Sequence, residues 1–116
     1  MPRSLQSRIA LACALGFVAI GCGVGAISGA AAAKPATHTV VIEGVKFEPE
    51  SLTVARGDTV VWVNKDPFPH TATAKGVFDS REIAAGKSWK YTPRRVGAYS
   101  YICTLHPNMK GTLEVK

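Results

Sequence analysis

Gly97-Ala98-Tyr99-Ser100-Tyr101-Ile102-Cys103 runs into Thr104-Leu105-His106-Pro107-Asn108-Met109, and Gly111-Thr112-Leu113-Glu114-Val115 follows. The first piece reads as an aromatic strand, because Tyr99 and Tyr101 recur at the spacing that sends alternate side chains to one sheet face. The last piece reads as a second strand, so the residues between form a tight loop. The same pattern repeats upstream. Thr39 to Ile42 is β-branched, Leu52-Thr53-Val54 alternates, and Thr59 to Val63 is apolar enough to predict a strand buried on both faces. Gly44, Pro49, Arg56-Gly57-Asp58, Asp66 to Pro69, Ala84 to Lys87 and Pro93 punctuate these runs as turns and loops. No window sustains helical i, i+3, i+4, i+7 spacing, and only Arg81 to Gly86 could hold a short helix. The expectation is an all-β, Greek-key β-sandwich of seven to eight short strands.

Outside that region the chain changes character. Arg3 and Arg8 precede a run, residues 9–33, without a charged side chain. A basic start, an apolar stretch and the small residues Ala31-Ala32-Ala33 are the marks of an export signal. Ala19-Ile20-Gly21-Cys22 offers a second reading, lipidation at Cys22. An uncleaved anchor is a third, since the run is long enough to span a bilayer. The division is therefore 1–33 as export signal or N-terminal membrane anchor and 34–116 as one folded domain, exported to the periplasm or the outer face of the cytoplasmic membrane. Lys34 to His38 reads as a polar linker, with His38 exposed. Residues 34–116 hold 12 Lys and Arg against 8 Asp and Glu, interspersed. With no basic run longer than Arg94-Arg95 and no aromatic platform, nucleic acid is excluded as a partner.

Cysteine usage points to metal. Cys103 is the one cysteine left after residue 33, so no internal disulfide is available to the domain. Taken singly, His70 reads as a surface histidine, Cys103 as a buried thiol and Met109 as core filler. Together, Cys103, His106 and Met109 at Cys-x2-His-x2-Met, with His70 in an upstream loop after Pro69, supply two imidazoles, one thiolate and one weak thioether. That is the ligand set of a type 1 blue copper site. The soft sulfur donors suit Cu(I) and imidazole suits both oxidation states, so one bound Cu could cycle between Cu(I) and Cu(II) with little rearrangement. Zn fits the same donors.

The chain resembles the cupredoxins, and within them amicyanin and plastocyanin-type proteins, over Thr39 to Lys116. The resemblance rests on Gly57-Asp58-Thr59-Val60-Val61-Trp62-Val63-Asn64, on Pro69-His70, and on Gly97 through Met109 and Gly111. It implies a one-electron carrier, with His70, Cys103 and His106 as strong ligands and Met109 as the axial one. It also implies that the Thr71 N–H donates to the Cys103 sulfur, that Asn64 braces the loop of His70, and that electrons pass at the edge of His106. Transient redox protein partners would dock there, on Leu105, Pro107, Phe68 and Pro67, with Lys65, Lys75 and Lys110 as a steering rim. The chain is expected to act as a monomer. Ile102 stands where plastocyanin-type proteins carry an aromatic residue, which removes a second electron route. Ile102 and Thr104, neither a His, flank Cys103, and Tyr99 occupies the place of a second Cys. An enzyme with a further copper centre is therefore not expected.

Overall fold

The computed structural model describes residues 34–116, and the expectations for residues 1–33 (cleavage near Ala33, lipidation of Cys22, an anchor) lie outside the described residues. Nine strands are present and, among the described residues, no helix. They are β1 Thr37–Ile42, β2 Phe47–Glu48, β3 Ser51–Val54, β4 Thr59–Asn64, β5 Thr73–Ala74, β6 Phe78–Asp79, β7 Ser88–Tyr91, β8 Gly97–Cys103 and β9 His106–Val115. One sheet runs β2-β1-β4-β7 and the other β3-β9-β8-β5-β6. The chain crosses between sheets from β2 to β3 and back to β4, which leaves β1 parallel to β4 and β3 parallel to β9. This is the expected all-β sandwich. The strand count exceeds seven to eight because β2, β5 and β6 have two residues each, too few to show a period. Arg81 to Gly86 forms no helix. Ile83 instead makes an isolated antiparallel bridge to His70.

Alternate residues of both sheets meet in the core. Val40, Ile42, Val60 and Trp62 come from one sheet, and Tyr101, Cys103, Leu113 and Val115 from the other. Trp62 is fully buried, with its ring centroid 5.5 Å from those of Phe78, Trp89 and Tyr101. β4 is not buried on both faces as expected. Val60, Trp62 and Asn64 are buried while Thr59, Val61 and Val63 are half-exposed, because a sandwich sheet has one inner face and β-branched residues tolerate the other. Among the described residues, every strand partner and core residue lies within residues 37–115, and Pro35–Lys116 forms one compact unit with its own core.

His38 is not in a linker. β1 begins at Thr37, and His38 Nε2 lies 2.9 Å from Asp58 Oδ2. Asp58 also accepts the Ala36 N–H at 2.9 Å and the Ala55 N–H at 3.0 Å. The Ala36 N–H, the His38 ring and the Ala55 N–H, in that order, hold the Asp58 carboxyl down at about 2. These contacts close one end of the sandwich. There Thr59 N donates to Ala36 O (2.9 Å), Gly57 N to Pro93 O (2.9 Å) and Arg56 N to Lys116 O (2.8 Å). β1, β4 and β8 all run from this end towards the other, finishing at Ile42, Asn64 and Cys103.

Candidate metal centre

The end where those strands finish gathers the chemistry. β8 and β9 form an antiparallel hairpin whose register jumps: Ile102 pairs with Lys110, but Cys103 pairs with His106. Only Thr104 and Leu105 make the turn, and Pro107, Asn108 and Met109 loop out of register. The predicted loop is therefore a two-residue turn followed by a bulge. The bulge re-aims side chains that regular pairing would alternate between faces. Cys103 is left fully buried, Met109 3% exposed and His106 half-buried.

His70 arrives from the other side. It has no exposed surface, and its backbone is pinned to Ile83 in both directions (Ile83 N to His70 O 2.7 Å, His70 N to Ile83 O 3.2 Å). Asn64, the last residue of β4, braces this loop as expected. Its Nδ2 donates to Phe68 O and Ile83 O, both at 2.9 Å, and its Oδ1 accepts the Asp66 N–H at 3.0 Å. The Thr71 N–H also points where it was expected, at Cys103 Sγ, 3.3 Å away. A donor aimed at a buried sulfur stabilises it as thiolate.

Ligand atoms of His70, Cys103 and His106 all lie within 4.8 Å of one another. Cys103 Sγ is 3.6 Å from His70 Nδ1 and 3.9 Å from His106 Nδ1. Bond lengths of about 2.0 Å to nitrogen and about 2.3 Å to sulfur would set N to S separations of roughly 3.5 to 3.7 Å around a tetrahedral or trigonal ion. The three donors therefore fit one small ion with little movement. Met109, itself buried, lines the same hollow as His106, Asn108 and Val45.

Two parts of the site were not read from the sequence. Asp66 is buried with its Oδ2 2.7 Å from His70 Nε2, and it also accepts the N–H groups of Gly44 (2.7 Å) and Val45 (2.9 Å). Burial pushes its carboxyl up, but the Val45 and Gly44 N–H groups and the His70 ring outweigh that, so it sits below the usual carboxylate range. An ionised Asp66 fixes the proton of His70 on Nε2 and leaves Nδ1 free to ligate, the carboxylate–histidine arrangement of metal sites. The signal was a carboxylate four residues before the histidine. The second part is a threonine knot. Thr71 Oγ1 accepts the Thr104 N–H at 2.8 Å and lies 3.1 Å from Thr104 Oγ1, tying the two ligand-bearing segments together.

A family profile described as a cupredoxin-like domain matches residues 12–115. This chain belongs to the cupredoxins. Among curated relatives it is 36% identical over 94 residues to amicyanin of Paracoccus versutus, covering 75% of this chain and 71% of the relative. It is 35% identical over 88 residues to plastocyanin of Scenedesmus fuscus, covering 60% of this chain and 86% of the relative. A solved copper(I) form of an amicyanin variant superposes with a TM-score of 0.65 at 32% identity, covering 73% of this chain and 86% of that one. The cupredoxin sandwich thus brings together His70, Cys103 and His106 at the end of the strands where β1, β4 and β8 finish.

Proposed function

We propose that residues 34–116 form a copper domain that carries one electron at a time, with His70, Cys103 and His106 as equatorial ligands and Met109 as the axial one. The observation that carries this reading is the convergence of two imidazole nitrogens on a fully buried thiol that already receives an N–H donor. A bound copper ion supplies the Cu(I)/Cu(II) couple. The protein's part is to hold the donors so that neither oxidation state requires them to move. Asp66 orients His70, the Thr71 N–H donates to the Cys103 sulfur, and the Thr71–Thr104 knot keeps the two segments in register.

Electrons pass at the half-buried edge of His106. Around it Leu105 (46% exposed), Val45 (40%) and Phe68 (39%) leave an apolar surface, with the Phe68 ring centroid 5.8 Å from that of His106. A small apolar patch suits redox partners that bind briefly. Exposed Lys65 and Lys110 lie on segments adjoining the site and would steer an acidic partner, whereas Lys75 lies in the β5–β6 turn at the other end and is no part of that rim. With Ile102 and Thr104 flanking Cys103 in place of a histidine that would wire a second copper, the domain carries electrons without transforming a substrate. It acts outside the cytoplasm as a monomer, with residues 1–33 directing export or holding it at the membrane.

The test is a visible spectrum of residues 34–116 after one equivalent of Cu(II), beside Cys103→Ser. An intense thiolate-to-copper band, bleached by a mild reductant and missing from the variant, is the expected result. Full metal loading without that band would overturn the reading.

A further inference from the structure

The two ends of the sandwich differ in charge. At the copper end, Lys46, Lys65, Arg81, Lys87 and Lys110 are outnumbered by six carboxylates, those of Glu43, Glu48, Glu50, Asp66, Asp79 and Glu82. The balance at the opposite end is reversed. Arg56, Arg94, Arg95 and Lys116 are all exposed, and backbone hydrogen bonds of Arg56 to Lys116 and Gly57 to Pro93 bring their segments together. Of the two carboxylates there, Asp58 is buried against His38, and Glu114 is exposed within 3.4 Å of Thr53 Oγ1. The domain's surplus of positive charge is therefore concentrated at the end farthest from the copper site.

Val96, 59% exposed, stands at this end directly after Arg94-Arg95, and it is the most exposed large apolar side chain of the domain. Its loop is fixed in place. Tyr99 Oη donates to Arg95 O at 2.8 Å and lies 3.3 Å from Val96 O. A rigid apolar tip directly following two exposed arginines matches the layering of a lipid surface, phosphate outside and hydrocarbon beneath. The described residues also begin at this end, where the Ala36 N–H is held by Asp58.

We propose that this end docks on an anionic phospholipid surface, with Val96 entering the interface and Arg56, Arg94 and Arg95 pairing with phosphates. The copper end then faces away from the membrane, free for redox partners. β8, seven residues long, separates the two ends by roughly 20 Å at about 3.3 Å per residue. An acidic protein docked here would be remote from His106, which is why the lipid surface is the occupant argued. The inference rests on the exported, copper-loaded reading given above.

The copper-loaded domain, residues 34–116, is sedimented with vesicles of phosphatidylglycerol and of phosphatidylcholine, and its blue absorption is recorded in the same sample. Binding to the anionic vesicles alone is expected, weakening with added salt. The triple variant R56Q/R94Q/R95Q should bind on the order of 100-fold more weakly, at about fivefold per cation removed. Val96→Ser should also weaken binding. K46Q/R81Q/K87Q, which loses the same charge from the other end, should bind nearly as the parent does. In the reduced domain, spin-labelled lipid should broaden resonances of residues 55–57 and 93–97 and spare residues 104–109. Equal loss in both triple variants, broadening at the copper end, or capture of polyglutamate in place of vesicles would overturn the proposal. Because the blue band is read independently, failure to bind lipid is distinguishable from failure to bind copper.

Discussion

Asp66 joins three segments by itself: it orients the His70 ring and receives the N–H groups of Gly44 and Val45. Asp66→Asn keeps the shape and removes the charge that makes His70 a better donor. Copper affinity should fall about 10- to 100-fold, read by competition with a chelator, while the fold persists. Asp58 is the counterpart at the other end. Its folded pKa of about 2 lies below the ordinary carboxyl value of 3.8, so its contribution to stability is present above about pH 4 and is lost as pH falls through 2. Asp58→Asn should therefore lower Tm most above pH 4, and the gap from the parent should close towards pH 2 in a series of thermal melts. Cys103, His106 and Met109 were legible as a site because their spacing is local, and Asn64 and Thr71 through the family resemblance. Asp66 and Asp58 were not, because a carboxylate in a loop looks solvated until the chain buries it. His38 misled for a related reason: its partner is 20 residues away, and only strand pairing brings them together.

The β8–β9 hairpin shows what a single element contributes. Gly111 sits against the ring of Tyr101, and a Cβ there would overlap the Tyr101 Cζ and Oη. Gly111→Ala should cost about 1–3 kcal/mol in a denaturant melt, because Tyr101 is 2% exposed and has no room to turn aside. The pairing partner of that glycine is Tyr101 itself, one step before the register jump, so the variant should also disturb the blue band. Long apolar runs such as β4 and β8 were readable in the sequence because several alternations build a pattern. The two-residue strands carry no pattern, and the bulge at Pro107 to Met109 is invisible to periodicity because it is a change of pairing partner. The face assignment of β4 failed for want of the same information: whether a second layer covers Val61 and Val63 depends on other strands.

On the scale of the whole domain, Trp62, Tyr101, Leu113 and their neighbours form a core of side chains from both sheets, and the candidate ligands Cys103 and Met109 belong to it. Copper should therefore stabilise a fold that already exists. The apo domain should keep its β circular-dichroism signature and melt cooperatively at a lower temperature. Added copper should stabilise it by about 2.7 kcal/mol at a hundredfold excess over Kd. An apo domain without cooperative melting would mean that metal is required for folding. The pairing of β3 with β9 has a different consequence. Ser51 lies beside Thr112, 61 positions later, and β9 is also the partner of β8. Until residues 106–115 have left the ribosome, the five-stranded sheet lacks its second strand and β3 has nothing to pair with. Contacts so distant in sequence close slowly. A chain that must wait for its final segment cannot fold ahead of its own synthesis, and it stays threadable for as long as a translocation channel would require.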